Sequence, residues 1–373
     1  MTAAGPRGSR LPHLLAGLYA LAIAYASLQP FGDWMPPLDG TPFWVLGPWP
    51  ARTTRSDTIA NALAYIPLGL FVSLMAQRAS ALRRILIALL AGAGVSFAME
   101  TLQWYTPPRY ANAVDFLANS LGALAGGALG ALYAPSSLRS AFRQARTRLM
   151  LPGTIGDFGL ALLLIWLVAQ FNPAIPPFAL TFDPEPALRI GDVRHVRDIA
   201  SPLIEAAQSA FQLLGVGLFV ALLMRERRYA GGAVLLLVGA ALVAKGGAAI
   251  LLLKPAVFVS WLSPGVLLGV AAGALLLLPA ILLPRPAQVT ICAIALLSSL
   301  LTPLIVPDLM FASPPLTVFS WRFGHLLNFN GFTHLVLVAW PLVASAWLFV
   351  LAGRPGWGRA DGDAETGRRD DPL

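Results

Sequence analysis

The chain has 373 residues, of which 57% are hydrophobic and 12% are charged, and its mean hydropathy is +0.70. This composition excludes an ordinary soluble domain and indicates a polytopic membrane protein. The net charge of +8 does not indicate nucleic-acid binding, because all but two of the 26 basic residues are arginines, mostly in short segments between apolar runs. The single cysteine, Cys292, excludes internal disulfides and thiolate metal clusters.

Ten apolar windows are long enough to cross a bilayer core of about 30 Å. With both termini on the cytoplasmic side, seventeen arginines fall inside and eight Lys or Arg residues fall outside, as the positive-inside rule expects. The sequence therefore predicts an all-α polytopic transmembrane helical bundle of about ten spans with both termini cytoplasmic. The predicted windows are 11–29, 57–77, 84–104, 113–133, 155–172, 200–224, 231–253, 264–283, 288–306 and 333–352.

The first window has a second interpretation, as a cleaved signal peptide. Arg7 and Arg10 precede the apolar run, and Ala24-Tyr25-Ala26 has the small-residue pattern of a cleavage site. The apolar region of a signal peptide is usually about 7–15 residues long. Because the run from Leu11 to Leu28 is longer, a retained span is favoured.

Three connecting segments have a distinctive composition. The predicted outer loops 30–56 and 307–332 are rich in Trp, Phe and Pro, which predicts that they fold back along the outer interface. They either anchor the protein there or form a surface for lipid headgroups or polymer. Leu138 and Phe142 recur at helical spacing among arginines, which predicts a basic amphipathic helix bound to anionic lipid on the inner leaflet, with a plain positive-inside loop as the alternative.

Polar residues recur at helical spacing at the predicted outer ends of the second, third and fourth windows. A carboxylate and an amide that lie three or four residues apart share one face of a helix. Each of the three helices therefore presents such a pair, and an arginine lies in the short loop that joins two of them. The candidate ligand-binding residues are Asp57 and Asn61, Glu100 and Gln103, Asp115 and Asn119, and Arg109.

Carboxylates within membrane helices are costly and usually functional. Each costs about 2.5–3.5 kcal/mol at the helix centre when unpaired, so these residues are expected to face one another inside the bundle. Arg109 can pair with one or two of them, which leaves room for a cation, a proton or a cationic ligand group. The alternative is a buried network of polar side chains that only fixes the register of the helices. A metal site would have only oxygen ligands, because all four histidines lie outside the cluster, and such ligands fit Mg²⁺ or Ca²⁺ better than Zn²⁺.

The same residues carry a resemblance to the VanZ-like family. The residues are Ser27-Leu28-Gln29-Pro30-Phe31, Asp57-x₃-Asn61-x₅-Pro67-x-Gly69, Glu100-x₂-Gln103, Arg109 and Asp115-x₃-Asn119-x₂-Gly122-x₃-Gly126. The resemblance covers about 11–135 and implies a multi-pass protein of the bacterial inner (plasma) membrane that is tied to the cell envelope. The family takes its name from a member linked to glycopeptide (teicoplanin) resistance. The resemblance implies no reaction, and it leaves any cofactor unknown.

An internal repeat is also predicted. GLFVSLMAQR begins at Gly69 and GLFVALLMRER begins at Gly217, and an acid lies twelve residues before each glycine, at Asp57 and at Glu205. Helices five to eight would then repeat helices one to four with parallel topology, although the second copy has lost the acids of its third and fourth helices. The alternative is a chance similarity between helices rich in Leu and Gly. The predicted division is 1–135 as a VanZ-like four-helix domain, 136–153 as a basic amphipathic cytoplasmic connector, 154–353 as a six-helix region that partly repeats the first, and 354–373 as a disordered tail.

Three functions fit these features. The first is a cell-envelope protein that binds membrane lipids and a lipid-linked envelope precursor or polymer, and that affects sensitivity to glycopeptide-type antibiotics. The second is an ion- or proton-coupled transporter, although the acids lie near one membrane face rather than at the midplane. The third is a Mg²⁺-dependent membrane enzyme acting on lipid phosphates, with carboxylates holding the metal and Arg109 holding the phosphate. The sequence does not establish catalysis.

Overall fold

The computed structural model describes most of the chain as α-helix. The described residues are 9–29, 31–32, 34–37, 42–47, 49, 54–106, 111–173, 175–180, 194–259, 261–305 and 324–354. Within these ranges the only β-type pairing is an isolated backbone bridge between Met150 and Met224. The prediction of an all-α bundle is confirmed. Arg109, the tail from residue 355 and most of 307–332 lie outside the described residues.

The chain divides into two compact units, Met1–Thr147 (unit 1) and Arg148–Leu373 (unit 2). Five helices begin in unit 1: α1 (Leu11–Leu28), α2 (Arg55–Met75), α3 (Ala81–Gln103), α4 (Ala113–Tyr133) and α5 (Ser137–Leu149). Unit 2 contains α6 (Gly153–Ala169), α7 (Arg194–Leu223), α8 (Ala230–Leu252), α9 (Pro264–Ala280), α10 (Arg285–Ile305) and α11 (Gly324–Ala352).

Eight of the described helices are long and apolar enough to cross a membrane. The other two predicted windows form the shorter apolar helices α6 and α9, of 17 residues each, which span about 25 Å at 1.5 Å per residue. Large apolar side chains cover the surface, and Leu235, Leu236 and Val243 on α8 are each about 75% exposed. A soluble protein would bury such residues, so we conclude that these surfaces contact membrane lipid.

Helix ends differ from the apolar windows by several residues, because backbone hydrogen bonding continues into polar turns. α7 begins at Arg194 and α11 at Gly324, in both cases before the predicted window. Side-chain caps fix other starts: Thr54 accepts from the Asp57 N–H at α2, and Ser80 accepts from the Arg83 N–H at α3.

Close packing of α2 on α4 organises unit 1. A Cβ atom added at Gly122 or Gly126 of α4 would lie 2.0 Å from a backbone carbonyl oxygen of α2, at Ala62 or Ile66 respectively. Because both residue numbers rise together along the contact, the two helices run parallel. α3 packs antiparallel against α4, with Gly92 beside Ala123. Small residues thus allow the close approach that stabilises membrane helix pairs.

In unit 2, α7 is the central helix. It packs on α9 through Gly265, Gly269 and Gly273, and its Gly215 backbone contacts α10, where the Cys292 Sγ–H donates to the Gly215 carbonyl. α11 packs on α6, and at this contact the Trp340 indole N–H donates to the Leu162 carbonyl at 2.7 Å.

The predicted amphipathic helix forms as α5. Leu138 and Phe142 are exposed, and so are Arg143 and Arg148. The helix contains no acidic residue. Its attachment to anionic lipid remains a prediction.

Candidate functional site

The predicted polar residues gather at one end of unit 1, where α3 ends and α2 and α4 begin. We call this region the polar end. Helix direction explains the gathering, because α2 and α4 run parallel and α3 runs antiparallel to both. Residues early in α2 and α4 therefore lie level with residues late in α3.

Asn112, which caps the start of α4, joins the carboxylates of Glu100 and Asp115. Its backbone N–H donates to Glu100 Oε2 at 2.9 Å, and its side-chain Nδ2 donates to Asp115 Oδ2 at 2.6 Å. Its Oδ1 in turn accepts from the Asp115 N–H at 2.9 Å. Glu100 is only 4% exposed. The carboxylates of Glu100 and Asp115 therefore both accept hydrogen bonds from one buried asparagine.

Asn112 was missed in the sequence analysis. Its spacing to Asp115 is that of a helix N-cap followed by an acid three residues later, and this signal would have identified it. No sequence spacing indicates the hydrogen bond from Asn112 to Glu100, because this bond depends on how the loop between α3 and α4 folds back.

One helical turn deeper, Asn119 donates through Nδ2 to Ser96 Oγ at 2.9 Å, which joins α4 to α3. Asn119 is 5% exposed, and its Oδ1 is buried without a hydrogen-bond partner among the described residues. The buried Tyr65 hydroxyl of α2 lies beside the Ser96 side chain. Unpaired buried polar atoms are uncommon in folded proteins, so Asn119 Oδ1 is a candidate ligand contact.

Gln103 is at the polar end but holds another helix. Its Nε2 donates to the backbone carbonyl of Ser27 at the end of α1, at 2.8 Å. The Gln103 amide thus bonds to α1, while the Glu100 carboxylate bonds to the loop before α4. A joint role of the two residues in ligand binding stays a prediction.

Asp57 and Asn61 lie in the first two turns of α2, and both are half-buried. The Asp57 backbone N–H donates to Thr54 Oγ1 at 3.3 Å in the helix cap. The structure thus places both residues at the polar end. Arg109, the remaining predicted residue, lies outside the described residues.

An aromatic group covers one side of the polar end. Trp44, from the segment between α1 and α2, is 4% exposed and contacts Phe97 of α3 and Phe116 of α4, with ring centroids 5.4 and 5.9 Å away. Its indole N–H donates to Thr101 Oγ1 at 3.2 Å. Part of the loop 30–56 therefore folds back on the helices, whereas Trp34 and Trp49 are exposed.

Among the described residues, no three His, Cys, Asp or Glu side chains are grouped so that they could hold a metal ion. The described chemistry of the polar end is hydrogen bonding to buried carboxylate and amide oxygens.

Comparison with known families identifies this region. Residues 14–134 match the family model VanZ/LLP1. This part of the chain is a VanZ-like domain. The match includes most of α1, all of α2 to α4 and every predicted site residue. The resemblance inferred from the sequence is confirmed over residues 14–134, and the apolar helices are those of a multi-pass membrane protein.

The other two comparisons add no relatives. No curated protein and no solved structure matches the chain. The VanZ-like match ends before α5, so unit 2 must be interpreted from its own residues.

Proposed function

We propose that the VanZ-like domain binds the polar headgroup of a lipid-linked envelope precursor or surface polymer, at the outer face of a bacterial inner membrane. Through this binding the protein would affect sensitivity to glycopeptide-type antibiotics. The observation that carries the proposal is the hydrogen-bonded group of Glu100, Asn112 and Asp115, with the unpaired Asn119 Oδ1 one turn deeper.

The chemistry of these atoms favours a ligand that donates hydrogen bonds. Carboxylates are acceptors only, and the unpaired Asn119 atom is an amide oxygen, which is also an acceptor. Hydroxyl, amide and ammonium groups of a sugar or peptide headgroup supply such donors. Hydrogen bonds to a charged acceptor are stronger than neutral ones, particularly where water is excluded.

Neighbouring surfaces support a lipid-linked ligand. Leu117 and Leu121 of α4 are exposed on the same turns as Asn119, and Leu63 of α2 is exposed near Asn61. Apolar side chains at this level provide a surface for an acyl or prenyl chain. Phe97, which packs on Trp44, is 45% exposed and offers a ring face against which a sugar can pack.

The test is lipid mass spectrometry on the gently purified full-length protein. Glu100→Gln keeps an oxygen that accepts the Asn112 N–H but removes the charge, so the fold should persist while the bound precursor falls about tenfold. Glu226→Gln is the matched control, because Glu226 is an exposed acid paired with Arg228.

The same variants should separate in growth assays with glycopeptides. We expect Glu100→Gln to change the inhibitory concentration and Glu226→Gln to leave it unchanged. If Glu100→Gln is folded by circular dichroism and keeps both the bound lipid and the phenotype, the proposal is wrong.

We also infer that unit 2 descends from a duplication of the VanZ-like helices, and three features support this. Glycines of α9 approach α7 as glycines of α4 approach α2. Ser263 caps α9 and donates to Glu205 Oε2 at 2.8 Å, so that an acid again meets the cap residue. Lys245 of α8 bonds to the carbonyl of Asn172 after α6, as Gln103 of α3 bonds to a carbonyl at the end of α1.

A further inference from the structure

Unit 2 contains buried backbone that is not helical. Residues 172–173 and 175–180 follow α6 without regular structure, and Asn172, Ile175 and Leu180 are each at most 1% exposed. In a membrane bundle, non-helical backbone is tolerated where protein groups satisfy its carbonyls or where it lines a polar cavity. The donors to these carbonyls therefore indicate what the region is built to do.

Two helices supply the described donors. Lys245 Nζ of α8 donates to the Asn172 and Ile175 carbonyls, at 2.8 Å each. Gln208 Nε2 of α7 donates to the Leu180 carbonyl, also at 2.8 Å. The neutral Gln208 amide thus satisfies one carbonyl of the segment, and the Lys245 amino group satisfies the other two.

Lys245 has one more N–H donor than these two hydrogen bonds use. Its ammonium has three N–H donors, of which two are used, and Lys245 is only 1% exposed. Among the described residues its partners are neutral carbonyls, and no carboxylate contacts it. Burying a charge without an opposite charge is expensive, and ionisable residues inside membrane proteins usually mark functional sites.

The adjoining helix has further unused polar atoms. Gln208, Ser209 and Gln212 of α7 are fully buried. Within the described part of the chain, Gln208 Oε1, Ser209 Oγ and Gln212 Nε2 lack hydrogen-bond partners. The bond to the Leu180 carbonyl places Gln208 beside the segment that Lys245 holds, so its Oε1 can accept from a ligand there. Ser209 instead lies against Gly269 of α9, and Gln212 accepts from Ser299 of α10.

We propose that unit 2 holds a second ligand site, in which Lys245 binds a phosphate-type oxyanion next to residues 172–173 and 175–180. The anion is carried either by a lipid headgroup or by a free solute, and both offer the same oxygens to the third N–H of the ammonium. Lys245 holds the segment through two carbonyls and the anion through its remaining proton. This site is independent of the acidic polar end of unit 1.

The experiment measures inorganic phosphate binding to the full-length protein in detergent, by the shift in Tm against sodium chloride of equal ionic strength. We expect a saturable rise in Tm for the wild type, and binding about tenfold or more weaker for Lys245→Gln. Lys245→Arg should retain part of the response. Lys254→Gln, a change at an exposed lysine of the same unit, should behave like the wild type, and so should Glu100→Gln.

A second arm uses nanodiscs with and without phosphatidylglycerol, followed by mass spectrometry of the retained lipid. Loss of phosphatidylglycerol in Lys245→Gln but not in Lys254→Gln would identify a lipid source. Retention in both, with phosphate binding lost in Lys245→Gln, would identify a free anion. If Lys245→Gln does not fold, phosphorus-31 NMR titration of the wild type and Lys245→Arg decides. The proposal is overturned if neither anion binds the wild type saturably, or if folded Lys245→Gln binds both as the wild type does.

Discussion

At the residue scale, Asn112 is the feature on which the polar end depends. One side chain caps α4 and bonds to Asp115, and the backbone of the same residue bonds to Glu100. A carboxylate that accepts such bonds is partly compensated for the loss of water. Asn112 therefore makes it less costly to place two acids at one end of an apolar bundle.

Substitution of Asn112 should separate these contributions. Asn112→Ala removes the cap and the Asp115 bond, so we expect a free energy of unfolding lower by about 1–2 kcal/mol. Asn112→Ser keeps a cap oxygen and should lose less. Thermal loss of helicity, followed by circular dichroism, measures both. Equal stability of the alanine variant and the wild type would contradict the role given to this residue.

At the element scale, the packing of α2 on α4 determines where the polar residues meet. An added Cβ at Gly126 would lie 2.0 Å from the Ile66 carbonyl oxygen, a backbone atom that cannot move without shifting α2. The glycine contact thus fixes the separation of the two helices. It also fixes the level of Asp57 and Asn61 relative to Asp115 and Asn119.

Gly126→Ala should push these helices apart. We expect it to destabilise the protein by about 1–3 kcal/mol and to weaken ligand binding at the polar end, since overpacking forces backbone movement. Gly94→Ala is the matched control, because a Cβ at Gly94 of α3 has no atom within 4 Å. This control should be neutral or slightly stabilising. Similar melting temperatures for the two variants would show that α2 and α4 adjust without cost.

At the scale of the whole molecule, the orientation of the protein decides on which side of the membrane the polar end lies. The distribution of arginines predicts that α5 is cytoplasmic and that the segment containing Trp49 is external. The proposed binding of an envelope precursor requires this orientation, because such a ligand is presented at the outer leaflet.

Cysteine labelling in intact cells tests the orientation. Cys292 is the single cysteine and is fully buried, so Cys292→Ser provides an unlabelled background. In that background, Trp49→Cys should react with an impermeant maleimide in intact cells. Arg143→Cys on α5 should react only after permeabilisation. The reverse pattern would place the polar end at the cytoplasmic face and exclude an external ligand.

The sequence by itself determined that this is a helical membrane protein, where its apolar helices lie, and that acids and amides occur near one end of three of them. Apolar run length and helical spacing are local properties, so residue order is sufficient to predict them. The family resemblance rested on the same local pattern.

Only the tertiary structure decided which polar atoms pair. Asn112 joins Glu100 to Asp115, Gln103 instead holds α1, and Lys245 binds carbonyls of a buried non-helical segment. These contacts depend on the rotation of each helix about its axis and on the path of the loops. Packing between small residues that are far apart in the chain sets both. The spacing of apolar and polar residues along one helix does not reveal which other helix it will contact.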